Sequence, residues 1–83
     1  MKKYEFIPTG VCSRKITFSV ENGKIYNLQF DGGCNGNLKA IGKLLEGADV
    51  KFAIDRLKGN TCGMRNTSCA DQLTKALEKS LED

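Results

Sequence analysis

The chain has 83 residues, of which 40% are hydrophobic and 28% are charged, and its formal net charge at pH 7 is +3. This length and composition predict one folded domain spanning residues 1–83 and exclude a disordered tail. The lysines and arginines are scattered along the chain, which argues against nucleic-acid binding because that function normally needs a basic patch or stripe.

A short first strand is predicted around Tyr4 and Phe6, before Pro8 and Gly10 interrupt the chain. A second strand is predicted over residues 15–20, where apolar and polar side chains alternate with the period of a half-buried strand. Both segments are short, and both are expected to join the same sheet.

The dipeptide Asn22-Gly23 follows the second strand, and Asn-Gly is the strongest short-range hairpin signal because both residues tolerate positive φ. The returning strand is predicted over residues 25–30, with Tyr26, Leu28 and Phe30 on one face. Together these segments predict a small antiparallel sheet of about three strands in the N-terminal half.

The second half of the chain changes to helical spacing and predicts three helices. The first covers residues 38–45, and the second covers residues 50–57 with Asp49 as its cap. Either Thr67 or Ser68 is expected to cap the third helix, which has Cys69 in its first turn together with Asp71, an acidic residue that the helix dipole favours there. Strands followed by helices predict an α+β fold in which the three helices pack on one face of the sheet.

The N-terminal residues are charged, and no apolar run follows them, so neither a signal peptide nor a membrane span is predicted. A cytoplasmic location is the resulting expectation. In a reducing compartment, four cysteines are expected to serve metal binding or redox chemistry rather than to form two structural disulfides.

The four cysteines, Cys12, Cys34, Cys62 and Cys69, all fall at element ends or in loops, whereas a core-packing cysteine more often lies within an element. They are separated by 21, 27 and 6 residues, and the absence of C-x-x-C excludes a zinc ribbon and a thioredoxin-like motif. The sequence contains no histidine. Four thiolates without histidine match a tetrahedral zinc and an iron–sulfur cluster equally well.

Arg14 lies two residues after Cys12, and Arg65 lies between Cys62 and Cys69. A nearby positive charge and a helix N-terminus both favour the thiolate, which is the form that binds metal or attacks a disulfide. Both arginines are therefore candidates to support the sulfurs without binding the metal. For a single arginine such as Arg65, a solvated loop charge is the favoured interpretation.

The segment D-G-G-C-N-G-N, residues 31–37, raises the alternative of phosphate binding, since Gly-rich loops before helices cradle anions. It matches neither the Walker pattern nor G-x-G-x-x-G, and its glycines are better explained by tight turns around Cys34. We therefore do not predict nucleotide binding.

The run T-S-C-A-D-Q-L, residues 67–73, resembles the signature of the TSCPD domain family, which is named for Thr-Ser-Cys-Pro-Asp. The likeness extends through F-D-G-G-C-N-G-N-L-K-A-I, residues 30–41, and L-K-G-N-T-C-G, residues 57–63. It covers the chain from about Cys12 to Leu77. Ala70 replaces the family's proline, a residue that suits a first helical turn without being needed for chemistry.

This family includes small stand-alone proteins and a domain at the C-terminus of cobalamin-dependent ribonucleotide reductases, where its cysteines are suspected of binding metal. The resemblance implies that Cys12, Cys34, Cys62 and Cys69 are metal ligands and that a ribonucleotide reductase is a partner. The chain is too short to hold the barrel, radical generator and substrate site of that enzyme. The resemblance therefore implies an accessory role and not catalysis by this chain alone.

The order of the cysteines is also similar to that of U-type iron–sulfur scaffold proteins, in which three cysteines and an aspartate hold zinc or a cluster. On that analogy, Cys12, Cys34 and Cys69 are ligands. Arg14 stands where the scaffolds have the aspartate, and Cys62 is the candidate replacement for it.

Three hypotheses follow. In the first, the four cysteines converge on zinc or an iron–sulfur cluster, which predicts that the loops are loosely held without metal. In the second, Cys62 and Cys69 form a redox pair that supplies reducing equivalents to a ribonucleotide reductase. In the third, the chain is a plain interaction domain with inert thiols. The sequence indicates no oligomeric state.

Overall fold

The computed structural model describes residues 1–32, 35–61 and 67–82. In these ranges the chain forms three strands followed by three helices, which confirms the predicted α+β class. None of these helices is both long and apolar enough to cross a membrane. The elements in chain order are β1 (Lys2–Phe6), β2 (Ser13–Glu21), β3 (Lys24–Gly32), α1 (Asn35–Leu45), α2 (Val50–Leu57) and α3 (Cys69–Leu81).

The three strands form one antiparallel sheet in the order β1-β2-β3. A two-residue turn, Asn22-Gly23, joins β2 to β3, and Glu21 pairs with Lys24 across it. Both turn residues have positive φ, 54° at Asn22 and 75° at Gly23, as a type I′ turn requires. The predicted Asn-Gly hairpin is therefore confirmed.

The predicted alternation of side chains along β3 is wrong at Tyr26. Ile25 is fully buried, whereas Tyr26 is only partly buried. The pairing of β2 with β3 shifts register next to Asn27, which has a φ of 55°. Because a bulge adds one residue to a strand, it reverses the alternation beyond it. Ile25 consequently faces the core with Leu28 and Phe30, and it takes the place that was predicted for Tyr26.

The core lies between one face of the sheet and the three helices. α1 packs against β3, α3 packs against β1 and β2, and α2 packs against α3. This arrangement confirms that the helices cover one face of the sheet. The buried apolar cluster consists of Ile16, Phe18, Ile25, Leu28, Leu45, Val50, Ala53, Ile54, Leu73, Ala76 and Leu77.

The backbone of α1 approaches β3 closely at Gly42. A Cβ placed on Gly42 would lie 2.9 Å from the carbonyl oxygen of Leu28, a distance that side chains do not adopt. Only glycine allows this contact between a helix and a strand. It fixes β3, which precedes Cys34 in the sequence, against α1, which follows Cys34.

Candidate functional site

Cys69 is the first residue of α3, and its side chain contacts the beginning of β2. The hydroxyl of Ser13 donates a hydrogen bond to Cys69 Sγ, with 3.1 Å between the two atoms. Ser13 is buried, Cys69 is partly buried, and Cys12, directly before Ser13, is exposed. The fold thus brings together the segments that carry two of the predicted site cysteines.

Three of the six predicted site residues, Cys34, Cys62 and Arg65, lie outside the described residues. Within residues 1–32, 35–61 and 67–82, no group of three or more cysteine, aspartate or glutamate side chains is arranged to hold a metal ion. Because two of the four predicted ligands fall outside those ranges, the four-cysteine site stays a prediction.

The described residues that precede Cys34 and Cys62 both contact the neighbours of Cys69. Gly32, two positions before Cys34, pairs with Ser13 across the β2–β3 ladder. Asn60, two positions before Cys62, accepts a hydrogen bond through its carbonyl oxygen from the Ser68 hydroxyl. Both segments therefore leave the described fold from anchors next to Ser13 or Cys69.

Arg14 is exposed and lies beside this strand end. A Cβ placed on Gly32 would lie 3.3 Å from Arg14 Nε and 3.5 Å from the carbonyl oxygen of Cys12. Gly32 has a φ of 81°, so its left-handed backbone and the adjacent Arg14 side chain both favour glycine there. The Arg14 side chain thus lies against the segment that leads to Cys34.

Ser68 is the N-cap of α3, one of the two residues that the sequence predicted for this role. Its backbone is extended, and its side-chain oxygen accepts a hydrogen bond of 3.0 Å from the Asp71 N–H. The same hydroxyl donates to Asn60, so the cap also connects α3 to the segment after α2. This bond fixes the residue directly before Cys69 to the segment after α2.

The Asp71 carboxylate joins the two ends of the segment that contains Cys62. Its Oδ1 accepts from the Gly59 N–H at 2.7 Å, and its Oδ2 accepts from the Thr67 hydroxyl at 2.5 Å. The hydrogen bond from Thr67, followed by that from Gly59, lowers the pKa of the Asp71 carboxyl below its ordinary value. The Asp71 carboxyl is therefore ionised at neutral pH. The residue is almost fully buried and connects Gly59 to Thr67.

Gln72 connects the same helical turn to the loop before Cys12. Its Oε1 accepts from the Thr9 N–H at 3.1 Å, and its Nε2 donates to the Thr67 hydroxyl at 3.0 Å. The side chain is almost completely buried, with 2% of the residue exposed. The Thr67 hydroxyl therefore accepts from Gln72 and donates to Asp71, so the hydrogen bonds of these two side chains form one network.

Sequence reasoning missed most of this network. It assigned Asp71 only a favourable interaction with the dipole of α3, and it gave no role to Ser13, Gln72 or Thr9. The available signal was the concentration of hydrogen-bonding side chains in T-S-C-A-D-Q, which is dense for a single helical turn. Their partners lie up to 63 residues away and leave no local pattern.

The chemistry of the described part of the site fits a sulfur ligand. Cys69 is partly buried, and its Sγ already accepts a hydrogen bond from the hydroxyl of the buried Ser13. Groups that bind metals in proteins commonly have such partners, which orient the ligand. Thiolate sulfur is the preferred ligand type for zinc and for iron–sulfur clusters.

The family model described as TSCPD domain matches residues 1–81 of the chain. The same chain gave no match among the curated proteins and none among the solved structures.

Proposed function

The chain belongs to the TSCPD domain family, and on that basis we propose that it is a metal-binding module in which four cysteines hold one zinc ion or iron–sulfur cluster. The proposed ligands are Cys12, Cys34, Cys62 and Cys69. The observation that carries the proposal is the contact between Ser13 and Cys69, because it joins two cysteine-bearing segments at one end of the sheet.

Chain connectivity supports the participation of the other two cysteines. Cys34 follows Gly32 by two positions, and Cys62 follows Asn60 by two positions. Consecutive Cα atoms are about 3.8 Å apart, so two positions span at most about 8 Å. Anchors this close to Ser13 and Cys69 leave both remaining sulfurs within reach of one ion.

The residue types support a metal of the zinc or iron–sulfur class. Four sulfurs complete a tetrahedral zinc site, and the same four complete the ligand set of a cluster. In this arrangement the Ser13 hydroxyl orients Cys69 by its hydrogen bond, and Ser68 fixes the start of the helix that carries Cys69. A bound metal supplies a cross-link between four segments of the chain.

The proposed role is accessory. Resemblance to the C-terminal domain of cobalamin-dependent ribonucleotide reductases favours such an enzyme as the partner, and a reducing cytoplasm would keep the cysteines available as ligands. The module itself would supply no substrate site. The competing hypothesis, in which Cys62 and Cys69 are a redox pair that delivers electrons to such an enzyme, requires the same sulfurs to be free of metal.

Titration of the metal-free protein with cobalt(II) under anaerobic conditions tests the proposal. We expect saturation at about one cobalt per chain, with the intense near-ultraviolet absorption of thiolate-to-cobalt charge transfer. C69S is expected to weaken binding and reduce this absorption, whereas the matched variant S19A changes a buried polar residue elsewhere on β2. Absence of the charge-transfer band in the wild type would contradict the proposal.

A further inference from the structure

Polar side chains in the first turn of α3 and in the two residues before it hold three of the four cysteine-bearing segments together. We infer that a polar clamp, defined as Thr67, Ser68, Asp71 and Gln72, positions the cysteine site before any metal binds. Asp71 is the central positioning residue of this clamp. That the clamp positions metal ligands rests on the proposed function. The clamp itself consists of hydrogen bonds among described residues.

Asp71 joins the described residues on either side of the segment that contains Cys62. One carboxylate oxygen binds the N–H of Gly59 and the other binds the hydroxyl of Thr67, so residues eight positions apart are held by a single side chain. Both hydrogen bonds have a charged acceptor, which makes each of them stronger than a hydrogen bond between neutral groups. The entropy of bringing Gly59 and Thr67 together is therefore lost on folding and not on metal binding.

Gln72 performs the same task for the segment that leads to Cys12. Its amide oxygen binds the N–H of Thr9, three positions before Cys12, and its amide nitrogen binds Thr67. The side chain therefore ties the β1–β2 connection to the same threonine that Asp71 holds. The segments before Cys12 and around Cys62 are thus linked through Thr67.

Ser68 provides the third connection. Its hydroxyl donates to the carbonyl of Asn60 and accepts from the N–H of Asp71. None of the hydrogen bonds of the clamp uses a cysteine sulfur. Cys69 lies within this turn, yet its sulfur contacts Ser13 instead and stays available to a ligand.

A clamp that needs no sulfur forms in the metal-free protein. The described residues that flank Cys12 and Cys62 would then be ordered before any metal binds. Preorganised ligands bind more tightly because less conformational entropy is lost on binding. Residues that orient ligands without touching the metal typically change metal affinity by roughly 10- to 100-fold when they are substituted.

The test compares D71N with two controls in metal-free and cobalt-loaded protein. D71N retains the shape of the side chain but replaces one carboxylate oxygen with an amide N–H₂. That group cannot accept the hydrogen bond that Asp71 accepts from the Gly59 N–H or the Thr67 hydroxyl. E78Q, in the same helix, removes an exposed ion pair to Lys58, the neighbour of Gly59. V50A destabilises the buried core through a residue outside the clamp. T67V is a milder second variant that removes only the hydroxyl shared by Asp71 and Gln72.

We expect D71N and T67V to weaken cobalt binding by roughly 10- to 100-fold while the charge-transfer spectrum of the bound metal keeps its shape. E78Q and V50A should leave the affinity within about threefold of the wild type, because exposed ion pairs contribute little and V50A acts only through global stability. An equal loss of affinity in D71N and V50A would overturn the inference.

Amide hydrogen exchange of the metal-free protein tests whether the clamp forms, independently of metal binding. We expect slow exchange at Gly59 and Thr9 in the wild type and faster exchange at both in D71N. Exchange at Gly59 as fast as in an unfolded chain would overturn the clamp. A wild type that binds no cobalt but protects these amides would instead overturn the proposed function and leave the clamp as a metal-independent feature.

Discussion

The Ser13 hydroxyl lies 3.1 Å from Cys69 Sγ and joins the first residue of β2 to the first residue of α3. This contact connects residues 56 positions apart at the end of the sheet where Gly32 also pairs with Ser13. Ser13 therefore connects the sheet to the cysteine at the start of α3.

Replacing Ser13 with alanine tests that role. S13A removes the donor to Cys69 Sγ, and we expect the metal affinity to fall by roughly tenfold because the sulfur loses the group that orients it. The free energy of unfolding should fall by about 1 kcal/mol, the typical net value of a hydrogen bond. Cobalt titration and urea unfolding measure the two effects. S19A, which changes another buried serine of β2, should leave metal affinity unaltered; an equal loss in both variants would contradict the orienting role.

The lowered pKa of Asp71 predicts a pH-dependent contribution to stability. A carboxyl whose pKa is lower in the folded state than in the unfolded state stabilises the fold above the unfolded pKa. That contribution is lost as the pH falls through the folded value. We therefore expect the difference in free energy of unfolding between the wild type and D71N to be largest near neutral pH and to shrink below about pH 4. Urea unfolding at a series of pH values measures it, and a constant difference down to about pH 2 would contradict the prediction.

The close approach of α1 to β3 predicts opposite outcomes for two glycines of the same helix. G42A places a Cβ 2.9 Å from the carbonyl oxygen of Leu28 and should lower the free energy of unfolding by about 1–3 kcal/mol. G36A adds a Cβ that meets nothing within 4 Å, so it should be neutral or slightly stabilising. Thermal unfolding of both variants measures this, and equal transition temperatures would show that α1 can move away from β3 at little cost.

The cap of α3 predicts a difference between two helix N-termini. S68A loses the hydrogen bonds to Asp71 and Asn60 and should reduce the free energy of unfolding by about 1–2 kcal/mol. Asp49 is the N-cap residue of α2 but makes no side-chain cap hydrogen bond, so D49A should cost less. Urea unfolding compares the two, and an equal or larger loss in D49A would contradict the importance assigned to Ser68.

The fold class was predictable because its signals are local. Asn22-Gly23 specifies the hairpin through the φ angles that both residues tolerate, and helical spacing of apolar residues specifies α1, α2 and α3. The face of Tyr26 was not predictable from alternation, because the bulge at Asn27 adds a residue that no period-two pattern contains.

The candidate site was predictable only in part. The position of Cys69 in the first turn of α3 follows from the cap signal at Thr67 and Ser68, and the structure confirms it. The hydrogen bond to Ser13 and the bridge from Gln72 to Thr9 depend on how β2 and α3 meet, which local sequence does not encode. The predictions for Cys34, Cys62 and Arg65 concern residues outside the described ranges and stay predictions.

The most direct measurement is the metal and thiol content of one sample, obtained by elemental analysis and thiol titration on protein purified without oxygen. Convergence of Cys12, Cys34, Cys62 and Cys69 predicts about one zinc, or several irons with sulfide, per chain and few titratable thiols. No metal together with four titratable thiols would contradict it, and pairing of two of those thiols on mild oxidation would favour the redox module in its place.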